Sequence, residues 1–185
     1  MSEPRVPPQQ PDEWADDVRG MLEADLGEDR PRLGDMHIFT TLARHPELFK
    51  AWMPFGGYLL IGGKLAFADR ELVILRTGFN CRSAYEWGQH VRIALDGGID
   101  RETVERVAAG PDADGWEERE VLLLRAADEL HADSRISDAT WHGLGQHFDE
   151  QQLIELPMLV GQYHLVAFML NSLGVQPEPG LEPLP

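Results

Sequence analysis

The sequence predicts an all-α fold, a single-domain helical bundle, on three observations. Strand-like alternation of apolar and polar residues is essentially absent. Nearly every segment between residues 12 and 174 has helical spacing with a recognisable start and stop. The stretch QQLIELPMLVGQYHLVAFMLNSLG is apolar almost all round, as a helix at the centre of a bundle would be. At 185 residues, 43% apolar and 26% charged, the chain has the size and composition of one domain with its own core.

The elements follow in order. Residues 1–11, with PRVPPQQP, read as a Pro-rich arm. Asp12 is placed to cap a helix through about Leu26, Asp35 to cap another that ends before Pro46, and Pro46 suits the first turn of a third. The two glycine pairs of MPFGGYLLIGGKLAF should break helical continuity and leave a loop with a short helix. Asp69 then caps RELVILRTG, and a new helix starts near Asn80 to Ser83 and runs to the stop DGG at 96–98. Four more helices fit 100–109, 117–131, 137–147 and 149–173, with Pro157 kinking the last. The Pro-rich stretch 175–185 reads as a tail, and both arms could wrap a neighbouring subunit.

A formal charge of −16, from 32 acidic against 16 basic residues, argues against nucleic acid and anionic membrane surfaces as partners. The first residues, MSEPRVPPQQPDEW, contain no apolar signal segment, and no uninterrupted apolar run is long enough to cross a bilayer. A cytoplasmic protein with its one cysteine, Cys81, reduced is the expectation.

The chemistry concentrates in RELVILRTGFNCRSAYEWGQH, residues 70–90. Ser83, Glu86, Trp87 and His90 fall at spacings that put them on one helix face. Four residues apart, Glu86 can hydrogen-bond His90, orient it and support its charge, which is the local arrangement of a general acid/base. Glu71 reaches the same region if the two helices pack antiparallel about a short turn near Gly78, while Tyr85 and Trp87 would supply apolar walls that keep a carboxyl protonated. The competing reading is structural: SAYE matches the Ser-x-x-Glu capping box, in which Ser83 and Glu86 satisfy backbone donors. Cys81 reads most simply as a packed thiol. Two possible ligands without an obvious third make no metal site, so neither a metal nor another cofactor is expected.

These residues resemble the carboxymuconolactone decarboxylase family, which includes the alkylhydroperoxidase D-like proteins. The family pattern is a Glu, eleven residues, then Cys-x-x-Cys-x-x-x-His. With His90 on the histidine, Glu86 takes the second cysteine position, Ser83 the first, and Glu71 the upstream glutamate. YEWGQH and the flanks ARHPELFKAWMPFGGYLL, DRELVILR and VGQYHLVAFMLNSLGV look like the decarboxylase-like branch, over roughly residues 12–175. The resemblance implies a helical homo-oligomer with its site between helices and often near a subunit interface. One cysteine cannot close the motif disulfide on which the peroxidase branch depends.

The implied function is acid/base chemistry, decarboxylation or a related proton transfer, on a small organic acid or lactone. His90 is the proton shuttle, Glu86 its orienting partner and Glu71 the third member, with Ser83, Cys81, Tyr85, Trp87 and Gln162 as candidate substrate contacts. The alternatives are a thiol peroxidase working through Cys81 and an external thiol, and a non-catalytic oligomeric protein that binds a small molecule.

Overall fold

The computed structural model describes residues 3–24 and 31–185. Nine α-helices and no strand occur among them: α1 Asp16–Leu22, α2 His37–Leu42, α3 Pro46–Gly57, α4 Phe67–Asn80, α5 Ala84–Asp96, α6 Arg101–Ala109, α7 Glu118–Asp133, α8 Asp138–Leu144 and α9 Glu150–Leu173. The predicted all-α class holds.

Helix α4, not α9, is the central element. It packs against α5, α6, α7 and α9. Its run from Glu71 to Leu75 is buried without a break. Val73 and Ile74 join Leu123, Ala126, Leu156, Leu159 and Val160 in one core between α4, α7 and α9. Leu72 and Leu75 join Trp87, Val91, Ala94, Val104 and Val107 in a second core, on the α5 and α6 side. Burying side chains of this size is worth about 1.5–3 kcal/mol each.

Helix α9 is long and apolar enough to cross a membrane, by length and composition alone. Half of its most apolar window is buried inside the protein, so the chain hides only one of its faces. That face carries Leu156, Leu159, Val160, Tyr163, Val166 and Leu170. Ile154, Met158, Leu165 and Phe168 stand 67%, 49%, 53% and 62% exposed on the other, which overturns the reading of α9 as a helix buried all round. The helix runs through Pro157 and ends at Gly174, whose φ of 69° is the left-handed value that favours glycine at a helix stop.

Several predicted boundaries move. Helix α1 starts at Asp16 after a separate short turn, Pro11–Glu13, so Asp12 does not cap it, and its predicted end at Leu26 lies outside the described residues. Asp35 ends a turn and Met36 occupies the cap position of α2. The pair Gly56 and Gly57 does not break α3: the backbone continues into a π-helical turn, Tyr58–Gly62, and stops at Gly63. Asp69 is not the cap of α4, which begins two residues earlier. The short turn comes after Asn80 and not at Gly78, which lies inside α4.

The two Pro-rich ends lie on the chain's own domain. Arg5 N donates to Leu173 O at 2.8 Å, and Gln9 N to Thr40 O at 3.0 Å. In the tail, Glu178 accepts from His37 N (2.6 Å), the Tyr85 hydroxyl (2.8 Å) and Gln89 Nε2 (2.5 Å). Gly88 lets the tail come this close, because a Cβ there would lie 2.9 Å from Glu182 O.

Candidate functional site

Helices α4 and α5 join through the tight turn Cys81–Arg82–Ser83, in which Arg82 takes a φ of 51°. Two hydrogen bonds fix the reversal: Cys81 N to Thr77 O and Ser83 N to Gly78 O, both 2.9 Å. The reversal lays α5 back along α4, so residues in the middle of each meet despite their distance in sequence.

The meeting point is an ion-pair chain. His90 Nδ1 lies 2.8 Å from Glu71 Oε2, and Arg70 donates from Nε and Nη2 to Glu71 Oε1 at 3.1 and 3.0 Å. The Arg70 guanidinium in turn sits over the Phe67 ring, 5.1 Å from its centroid. Glu71 is fully buried. Burial alone would raise its pKa, but the charges and hydrogen bonds of His90 and Arg70 outweigh that, and its carboxyl is held below the usual range. An ionised Glu71 accepts the Nδ1 proton of His90, which leaves Nε2 as the ring nitrogen that can exchange a proton. The Tyr163 ring stands edge-on to the imidazole, centroids 5.0 Å apart.

Glu86 is the opposite case. It is 2% exposed, and neither carboxyl oxygen has a hydrogen-bond partner. Burial with nothing to compensate it pushes its pKa well above the ordinary value, which favours the neutral carboxylic acid. Its space is made by Gly78, where a Cβ would come 3.0 Å from Glu86 Oε1.

The predicted Glu86–His90 hydrogen bond is therefore corrected: the imidazole pairs with Glu71, across the helix interface. The capping-box alternative fails too. Ser83 occupies the cap position of α5, yet its hydroxyl and both Glu86 oxygens are unpartnered.

The other predicted contacts scatter. The Tyr85 hydroxyl accepts from Ile38 N and donates to Glu178, so it serves the tail rather than a pocket wall. Trp87 points into the second core beside Phe79, 6.0 Å between centroids. Gln162 is buried toward α3, with its Nε2 3.2 Å from where a Cβ on Gly56 would be and its Oε1 unpartnered. Cys81 is half-buried, and burial pushes its thiol up to about 12.

Two members of the site escaped the sequence reading. Arg70 is the immediate neighbour of Glu71, a spacing at which helical side chains normally diverge. Tyr163 lies in an apolar run, where a helix with no polar face hides which residue turns inward.

Glu71, Glu86 and His90 are 0%, 2% and 6% exposed, and two surface clefts are lined by none of them. The larger, about 330 Å³, lies between the π-helical turn and α9 and is lined by Tyr58, Lys64, Ile154 and Met158 among others.

The carboxymuconolactone decarboxylase family profile matches residues 46–129. A search of curated proteins finds no match. Among solved structures, the chain resembles an alkylhydroperoxidase AhpD core, an uncharacterized peroxidase-related protein from Ralstonia eutropha, at 21% identity and TM-score 0.81, covering 97% of this chain and 94% of that one. A debrominase in complex with 2,3,4-tribromopyrrole superposes with TM-score 0.78 at 13% identity, over 94% and 91% of the two chains. An uncharacterized peroxidase-related protein from Silicibacter gives TM-score 0.72 at 14% identity, over 98% and 97%.

Proposed function

From residues 46–129 matching the carboxymuconolactone decarboxylase family, and a whole chain folded like the alkylhydroperoxidase D-like proteins, we propose that this protein catalyses proton transfer on a small organic acid or lactone. The single observation that carries the reading is the division of labour between two buried carboxyls. Glu71 is hydrogen-bonded by His90 and Arg70, which favours its ionised form, and Glu86 has no partner, which favours its neutral one. Paired titratable groups whose surroundings push their pKa values apart are how an enzyme holds an acid and a base ready at one pH.

In this mechanism Glu71 fixes the His90 tautomer and stabilises the imidazolium when Nε2 takes a proton. Arg70 holds Glu71 in place. Glu86 is the acid. In a decarboxylation the C–C bond to the carboxylate breaks, CO2 departs, and the electron pair left on carbon takes the proton from Glu86. A solvent proton then restores Glu86, relayed from His90 through water because the two side chains share no direct hydrogen bond. Ser83 and Tyr163 are candidate contacts beside the reacting group. The half-buried thiol and the acidic composition suit a cytoplasmic setting.

We also propose self-association through α9. Ile154, Met158, Leu165 and Phe168 form an exposed stripe at helical spacing, and Phe55, Tyr58 and Ile61 continue the apolar surface from α3 and the π-helical turn.

The closed site favours a second reading, in which Arg70, Glu71 and His90 are a structural ion-pair chain and nothing is turned over. The test is a panel of small carboxylic acids and lactones followed by proton NMR. Product formation lost in His90→Gln and in Glu71→Gln supports the enzyme. No conversion across the panel favours the structural reading, and conversion that persists in both variants removes His90 and Glu71 from the reaction.

A further inference from the structure

The structure assigns a second site, separate from the acid/base pair. We propose that Cys81, His131 and His164 bind a divalent transition metal of zinc type. The sequence gives no hint of it, since the cysteine is 50 residues from the first histidine and the two histidines are 33 apart. The fold brings them together: Cys81 follows the last turn of α4, His131 lies in the last turns of α7 and His164 in the middle of α9.

Sγ of Cys81, Nδ1 of His131 and Nε2 of His164 all lie within 4.8 Å of one another, a convergence found for no other group of His, Cys or acidic side chains among the described residues. Cys81 Sγ is 3.9 Å from His131 Nδ1, and His131 Nδ1 is 2.9 Å from His164 Nε2. Tetrahedral zinc, with bonds near 2.0–2.1 Å to nitrogen and 2.3 Å to sulfur, needs roughly 3.3 Å between nitrogens and about 3.6 Å from sulfur to nitrogen. Two separations are thus within about half an ångström of the requirement, and rotation of the half-buried Cys81 side chain closes the third.

A second observation points the same way. His164 Nδ1 donates to Val160 O at 2.8 Å, which fixes its tautomer and presents the Nε2 lone pair to the cluster. A backbone carbonyl on the far ring nitrogen is the usual support of a metal-bound imidazole. Asn171 Nδ2 donates to Cys81 O at 2.9 Å and ties the cysteine backbone to α9, the helix that carries His164. One soft sulfur and two imidazoles suit zinc, cobalt or copper and exclude magnesium and calcium, which take oxygen ligands. Binding displaces the thiol proton to solvent, the Nδ1 proton of His131 moves through solvent to its own Nε2, and the metal bonds to the freed sulfur and nitrogen. The fourth tetrahedral position is left to water.

The experiment uses the full chain, stripped with a chelator and titrated with cobalt(II) and zinc(II). The expected results are one equivalent per chain, a near-ultraviolet thiolate-to-cobalt charge-transfer band, and a raised melting temperature with zinc. Cys81→Ser removes the band. His131→Asn, at an exposed position that should not disturb folding, weakens affinity by at least the roughly 10–100-fold that loss of an outer partner costs. His164→Gln does the same. Absence of the charge-transfer band, or an affinity unchanged in His131→Asn and His164→Gln, overturns the proposal: the three residues are then a hydrogen-bonded cluster and any bound metal sits on the acidic surface.

Discussion

Glu71 and His90, nineteen residues apart on two different helices, hydrogen-bond at 2.8 Å, while Glu86, one helical turn before His90, bonds to nothing. The imidazole had two carboxylates within reach by sequence and took the one on the neighbouring helix. The consequence is that substitutions at the two glutamates should act on His90 in different ways.

Glu71→Gln should abolish the charge-assisted hydrogen bond at Nδ1 and release the ring to either tautomer, whereas Glu86→Gln should leave that bond intact. Nitrogen-15 NMR of the imidazole reads the tautomer. Loss of Nδ1 protonation in Glu86→Gln but not in Glu71→Gln would reverse the assignment.

Stability should depend on pH through Glu86. Its folded pKa is raised above the ordinary value of 4.5, so above that pH the unfolded chain gives up a proton that the folded chain keeps. The folded state then binds more protons than the unfolded one, and stability falls as pH rises, by about 1.4 kcal/mol per pH unit from this group until its folded pKa is reached. Its full contribution is present only at low pH. Glu86→Gln should remove this slope, and urea melts of both proteins between about pH 5 and 7 measure it. Parallel slopes would mean that Glu86 is charged in the folded protein.

The tail should respond to Gly88. A Cβ there meets the backbone oxygen of Glu182 at 2.9 Å and Leu181 Cβ at 3.0 Å, while the helical backbone of α5 itself favours alanine over glycine. Gly88→Ala should therefore keep the helical core and detach residues 180–185. Limited proteolysis with mass spectrometry shows whether cleavage within the tail becomes faster. The exposed Arg101–Glu182 pair lost with it contributes at most about 1 kcal/mol.

Leu165→Glu and Phe168→Glu place charges in the exposed stripe of α9. Sedimentation should show a smaller particle for both variants than for the wild type at micromolar concentration, with helical content unchanged. A wild type that is already monomeric would remove the stripe as an interface.

How much of this was legible in the sequence follows from the range over which each signal acts. Helix starts and stops between residues 100 and 174 were readable because their determinants are local: Asp100, Ser137 and Asp149 accept from backbone N–H groups at helix starts, and Gly174 takes the left-handed value at the stop. The segment 54–63 was misread because Gly56 and Gly57 were given their intrinsic flexibility, while packing of α3 carries the helix through them. Glu71, Glu86 and His90 were found, but their pairing was not. An i, i+4 rule describes one helix, and the hydrogen bond that formed depends on how α4 and α5 cross. Arg70, Tyr163 and the Cys81–His131–His164 cluster arise from tertiary contacts with no periodic trace in the chain.

The claim on which the acid/base account rests is that one buried glutamate is charged and the other neutral at the same pH. Carbon-13 NMR of glutamate side-chain carboxyls, assigned with Glu71→Gln and Glu86→Gln, tests it without knowledge of the substrate. At pH 7 the account predicts a protonated signal that disappears in Glu86→Gln, and an ionised signal for Glu71 that persists below pH 4.5. Two carboxyls that both titrate in the ordinary range near pH 4 would contradict it.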